Sequence, residues 1–264
     1  MNLSTRGEPR RTIKIPFLTI VRKEVVRFMR IWPQTLLPAV VTTVLYFIIF
    51  GQFIGSQIKP IEGFTYMQFI VPGLIMMSLI NSAFSNVVSS FFGAKFTRNI
   101  EELIISPAPN YIIIAGYVTG GVIRAALVSA IVFFISLFFT SIAIQHVFIG
   151  IFFAFLAAVL FSLAGLLNAI FAKDFDDISI FPTFVLTPLI YLGGVFYSIQ
   201  MLPPFWRGVS QFNPILYMVN GFRYSFLGIT DVSPALSVGI LLVFIVLLTA
   251  IDWWLLSRGT GMKN

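Results

Sequence analysis

Six stretches of roughly twenty predominantly apolar residues run through the chain, and that length matches a hydrocarbon core about 30 Å thick crossed at about 1.5 Å per helical residue. Inside such a medium every backbone N–H and C=O must be bonded within the protein, so the spanning elements are helices or a closed barrel. A barrel would show short segments of alternating polarity, and the chain has none. It therefore reads as an all-α membrane protein. Composition agrees: of 264 residues, 58% are hydrophobic and 10% charged, against about 25% charged in soluble domains. The spans are placed at Gln34 to Ile54, Phe69 to Ser89, Ile112 to Phe139, Val147 to Phe171, Ile178 to Tyr197 and Ala235 to Leu256.

The net charge is +7, and its distribution fixes its meaning. Eight of the 17 basic residues, Arg6, Arg10, Arg11, Lys14, Arg22, Lys23, Arg27 and Arg30, precede the first span. Such a cluster holds an N-terminus in the cytoplasm and meets anionic headgroups, so the charge reports topology rather than nucleic-acid binding. With the N-terminus inside, the cytoplasmic pieces carry thirteen basic residues against three outside, Lys59, Arg207 and Arg223. Both termini are then cytoplasmic. The first span is too long for the apolar region of a cleaved signal and has no small-residue cleavage site after it.

Residues 1–33 read as a cytoplasmic tail and one amphipathic interfacial helix from Pro16 to Trp32. Its basic side carries Arg22, Lys23, Arg27 and Arg30, and its apolar side Phe17, Leu18, Val21, Val25, Phe28, Met29 and Trp32. A cytosolic helix packed on protein is the other reading of this pattern. Residues 34–256 form the six-helix domain and 257–264 a cytoplasmic tail. Two connections carry more pattern than a loop needs. Residues 95–106 (KFTRNIEELIIS) place Phe96, Ile100, Leu103 and Ile104 on one helical side, then stop at Pro107 and Pro109, which predicts a short cytoplasmic helix. Residues 198–216, with Leu202, Pro203, Trp206, Asn213 and Pro214, are apolar but broken by proline. They predict an extracytoplasmic re-entrant hairpin dipping into the outer leaflet.

Candidate chemistry is sparse. There is no cysteine and only one histidine, His146, so thiolate and imidazole metal sites are not expected. No Gly-rich phosphate loop occurs, and Gly259 to Lys263 lacks the spacing and the flanking strand and helix. Nor is there a GxSxG elbow or an HExxH helix. Asp174, Asp176 and Asp177 cluster in a short cytoplasmic turn and read as solvated. Within the bilayer Arg124 stands out, because an arginine at a helix centre costs at least about 2.5–3.5 kcal/mol on insertion scales. It follows Gly116, Gly120 and Gly121, small residues that let another helix approach closely. Two roles stay open for Arg124: pairing that holds helices together, or a place on a transport pathway.

Two motifs carry a resemblance. Glu101-Glu102-Leu103-Ile104-Ile105-Ser106-Pro107 resembles the cytoplasmic coupling segment of the permease subunits of ABC-2 type exporters. Gly193-Gly194-Val195-Phe196-Tyr197, followed by Leu202-Pro203, Trp206, Asn213-Pro214, Tyr217 and Arg223, is similar to the conserved external stretch of the same family. Tyr66 to Leu74 (YMQFIVPGL) and Phe171 to Ile178 (FAKDFDDI) are also similar to members of that family. The resemblance implies an inner-membrane homodimer of six-span subunits, driven by a separately encoded ATP-binding subunit. ATP and Mg would be held by that partner and no cofactor by this chain. The cargo would be a lipid-like, glycan or drug-like substrate moved outward from the cytoplasm or inner leaflet. It implies that Phe96, Arg98, Ile100, Glu101, Glu102 and Leu103 contact the partner, and that Phe196, Tyr197 and the hairpin form an external gate. Two other classes remain: a polytopic membrane enzyme on lipid-linked substrates, and an ion-coupled carrier. The first needs clustered polar residues at one membrane face, the second intramembrane carboxylates.

Overall fold

Proline and capping residues punctuate the chain into helices. The structure, a computed structural model, describes residues 9–100, 108–142 and 144–261. Helix α1 (Pro9–Arg30) starts earlier than the sequence suggests and takes Pro16 into its interior. The break at Ile31 and Pro33 in the next first turn open α2 (Trp32–Tyr46). That helix widens into a π-helix over Phe47–Ile54 and closes with one tight turn at Gly55–Gln57. Helix α3 (Tyr66–Phe96) is opened by a reciprocal cap, in which the Gln68 N–H donates to Thr65 Oγ1 and the Thr65 N–H to Gln68 Oε1.

Helices α4 (Asn110–Ser136) and α5 (Val147–Phe171) follow. Next comes a broken segment made of α6 (Asp177–Phe181), a π-turn at Pro182–Leu186 and α7 (Thr187–Leu192). The remainder comprises α8 (Pro204–Gln211), α9 (Pro214–Leu227) and α10 (Pro234–Arg258). Asn213 and Ser233 cap the starts of the last two, and Gly228 and Gly259, both at positive φ, close them.

Five of these helices are long and apolar enough to cross a membrane: Trp32–Gln57, α3, α4, α5 and α10. The fifth expected span differs, being a shorter apolar stretch over Asp177–Leu192. The cause is local. Pro182 has no N–H to give the Ile178 carbonyl, and Asn168 of α5 donates to that oxygen instead, at 3.4 Å. The segment still travels far: Phe175 before it packs on Phe92 and Phe96 at the end of α3, and Val195 after it lies against Gly73 near the start of α3.

Helix α3 is the centre of the molecule, buried along its whole length by α4, α5 and α9, with Ile70, Leu74, Phe84 and Phe91 inaccessible or nearly so. By contrast α2 and α10 expose large apolar side chains such as Val41, Leu45, Val243 and Val246. The Gly116, Gly120 and Gly121 series does bring helices together: Ile20 and Glu24 of α1 lie on the first two, and Ser162 of α5 and Val87 of α3 on the third. A Cβ on Gly121 would sit 2.8 Å from Val87 Cγ2 and closer still to Ser162 Oγ. Gly121→Leu should therefore lower the melting temperature in detergent by the equivalent of about 1–3 kcal/mol, whereas Gly239→Leu on the open side of α10 should leave it unchanged.

Candidate functional site

Two end layers frame the bundle. At one end Lys95 Nζ donates to the carbonyls of Ile170 (3.0 Å) and Ala172 (2.6 Å), tying the last turn of α3 to the end of α5. Asn110 Nδ2 donates to Ser257 Oγ at 3.3 Å, joining the start of α4 to the end of α10. At the other end Gln145 Nε2 donates to the Leu227 carbonyl (3.1 Å) and the Tyr66 hydroxyl to the Phe196 carbonyl (3.1 Å).

The end layer near Lys95 contains residues 95–100, the described part of the segment expected to be a coupling helix. Lys95 and Phe96 close α3 rather than open a separate helix, because α3 runs on until Thr97, whose N–H and hydroxyl both return to the Gly93 carbonyl. Arg98 then takes a left-handed conformation (φ 59°), and helix resumes at Asn99 and Ile100. Phe96 is exposed while Ile100 is buried, so these two do not share one outward face. Glu101, Glu102 and Leu103 lie outside the described residues. The aspartate turn at this end is held by its own backbone: Asp174 Oδ1 accepts the N–H groups of Asp176 (3.0 Å) and Asp177 (2.9 Å), and Asp177 Oδ2 accepts that of Lys173 (2.8 Å).

At the opposite end the external motif assembles around one arginine. Arg223, expected in an outside loop, is a buried residue of α9. Its Nη2 donates to the Gly194 carbonyl at 2.6 Å, its Nε to the Phe69 carbonyl at 3.4 Å, and its Cζ stands 3.9 Å from the Phe69 ring centre. The Gly193-Gly194 pair makes the turn that aims this carbonyl, with Gly194 at φ +75°. Asn213 Nδ2 donates to the Leu189 carbonyl at 2.6 Å, and its Oδ1 accepts the Ile215 N–H at 3.0 Å. The Tyr217 hydroxyl donates to the Gln211 carbonyl at 2.6 Å. Phe196 packs on Tyr46, Phe50 and Tyr191, and the Tyr197 hydroxyl donates to the Tyr191 carbonyl at 2.8 Å. Leu202, Pro203 and Pro214 flank α8, on which Phe205 and Trp206 stand exposed. The motif residues are thus mostly partners of backbone carbonyls that helix breaks leave open.

Between these ends lie polar groups that sequence reasoning weighed too lightly. Glu24 of α1 is fully buried; its carboxylate accepts from Ser90 Oγ, from Asn86 Nδ2 (3.3 Å) and from Arg27 Nη2 (3.3 Å). The spacing Ile20, Glu24, Phe28 signals this, since it puts a carboxylate on one buried stripe. Asp252 of α10 is buried with both oxygens unpartnered among the described residues. Arg124 stands midway along α4 in a polar cavity bounded by α2 and α3.

A family model described as ABC-2 type transporter matches residues 16–227. The chain belongs to the ABC-2 type transporter family. It is 61% identical, over 93% of its length and 96% of the relative's, to the inner membrane transport permease YadH of Escherichia coli K12, and to the Shigella flexneri protein of that name. Nodulation protein J of Rhizobium leguminosarum bv. viciae is 20% identical over 92% of this chain and 94% of its own. An ABC-2 permease is a multi-pass protein of the inner membrane that leaves ATP hydrolysis to a separate ATP-binding subunit, and this chain is one. The aromatic and glycine motif around Arg223 falls within the matched region. Arg223→Lys removes the fork that reaches two carbonyls and should cost the equivalent of about 1–3 kcal/mol in thermal melts. Arg207→Lys, at an exposed arginine bonded to the Gln200 carbonyl, should cost little.

Proposed function

We propose that the chain is the membrane-embedded half of an ATP-driven exporter that works as a homodimer and moves a lipid-like, glycan or drug-like substrate outward. In this reading the Asp177–Leu192 segment is the fifth of six crossings, both termini are cytoplasmic, and α1 lies along the inner membrane surface. Residues 95–106 receive the push of the ATP-binding subunit through Phe96, Arg98, Ile100, Glu101, Glu102 and Leu103. The stretch from Phe196 to Pro214 is the external lid.

The observation that carries the proposal is the continuity of α3. One uninterrupted helix of 31 residues ends at Lys95 and Phe96 and begins against the hairpin, where Tyr66, Phe69 and Gly73 meet Phe196, Arg223 and Val195. A packed helix transmits axial displacement because its neighbours leave it no room to bend. Force applied at the Phe96 end therefore arrives at the lid, where the helix meets the turn before a proline-broken hairpin. Two copies supply the enclosure that six helices with few inward charges do not, and a closed two-fold pair is the commonest solution. The apolar outer faces of α2 and α10 offer surface for that pairing and for lipid.

Two measurements test this. Affinity purification from native membranes should recover an ATP-binding subunit with ATPase activity, and Glu102→Lys should abolish recovery by setting a lysine where the carboxylate meets the partner, while membrane insertion stays normal. Recovery and transport both unchanged would remove the coupling assignment. The chain has no cysteine, so single-cysteine variants report topology without background. Gln211→Cys should label with an impermeant maleimide from outside, and Ser257→Cys only after the cells are opened; equal labelling of both from outside would refute six crossings.

A further inference from the structure

The cavity beside Arg124 has a volume of about 260 Å³ and lies between α2, α3 and α4. Its wall is unusual for a membrane interior. Thr42, Thr43, Ser78, Asn81 and Ser82 bring hydroxyl and amide groups to it, with Arg124 as the only charge among the described residues that line it. Ser82 is buried, and its hydroxyl has no partner among the described residues. Thr43 and Ser78 share a long contact of 3.4 Å, and Asn81 spends its amide N–H on the Met77 carbonyl, leaving its oxygen free.

Among the described residues Arg124 has no counterion. Its Nε is buried and unpartnered, and none of its nitrogens donates to a described residue. The acid that could have served is already engaged, since Glu24 accepts from Arg27, Asn86 and Ser90. A guanidinium midway along a spanning helix, in a cavity lined with hydroxyls and with no described acid on it, is a site lacking an anion. Guanidinium groups match phosphate and carboxylate oxygens with paired N–H donors, and a buried charge of this kind is rarely left without a partner.

We propose that this cavity receives the anionic oxygen head group, phosphate or carboxylate, of an amphiphilic substrate, and that Arg124 is the residue that selects it. The volume suits a head group rather than a whole drug-sized molecule, so the apolar remainder would lie along α2 in the bilayer. The inference deepens the exporter reading and rests on it for the meaning of the bound molecule. It gives Arg124 the pathway role and leaves the hairpin to control release.

The test uses the full chain purified in mild detergent from membranes supplemented with equal amounts of phosphatidylglycerol and phosphatidylethanolamine, with retained lipid counted by native mass spectrometry. The wild type should retain the anionic lipid in preference by about tenfold. Arg124→Gln should abolish the preference and Arg124→Lys should keep most of it. Ser78→Leu fills the cavity without touching the charge; it should also abolish the preference, and it carries the test should Arg124→Gln not fold. The same preference in wild type, Arg124→Gln and Ser78→Leu, all monodisperse, would overturn the proposal. If millimolar inorganic phosphate displaces the lipid from wild type, the anion alone is recognised; that keeps Arg124 as an anion site and overturns the amphiphile. Retention is read on the permease alone, so failure of the exporter reading would appear as missing ATPase in co-purified material and would not alter this result.

Discussion

Every carbonyl that a helix break leaves open within this bundle has to find a donor inside the protein, because the surrounding lipid offers none. That requirement organises the chain from Asp177 onward. Pro182 frees the Ile178 oxygen and Asn168 takes it; the end of α7 frees the Leu189 and Gly194 oxygens, and Asn213 and Arg223 take them. The external motif is therefore a set of replacements for helical hydrogen bonds. Its glycines shape the turn and its polar residues satisfy what the turn exposes, so the chain can stop and reverse inside an apolar medium.

The same requirement separates a rigid part of the molecule from a compliant one. Helix α3 is one continuous helix buried over most of its length, whereas the hairpin depends on a few side-chain donors around α9. Local opening costs least where such donors are few. A transporter needs this division, with one element that carries displacement unchanged and another that yields to it. The buried Glu24 and Arg27 pair adds α1 to the rigid side, since its partners Asn86 and Ser90 lie on α3.

Much of the fold is legible in the sequence. The five long spans follow from run length, and the capping residues Thr65, Asn213 and Ser233 mark helix starts within a few residues. The broken fifth span is less legible, because Pro182 and Pro188 announce a disturbance without saying whether the helix stops or continues as a π-turn. Arg223 escapes sequence reasoning for a stronger reason. Its carbonyl partners stand 29 and 154 residues away, and on charge counting it is indistinguishable from a solvated loop arginine. Glu24 was legible from its buried stripe, yet the neighbouring basic residues pull the eye to a lipid-facing reading. For Arg124 the sequence shows the cost of the charge, but the lack of a counterion emerges only when Glu24 is seen to be engaged elsewhere.

The lysine at the end of α3 has a consequence of its own. Helix α5 ends with the negative pole of its peptide dipoles, and the Lys95 ammonium rests on two of its last carbonyls. Ion and dipole attract without fixing an angle, so the joint resists pulling apart more than it resists turning. The turn that follows α5, with Phe175 wedged against Phe92 and Phe96, is thereby carried by the same pivot. Anything that lands on this end of the protein meets the end of α3 and the turn after α5 joined at one point, though the two are distant in sequence.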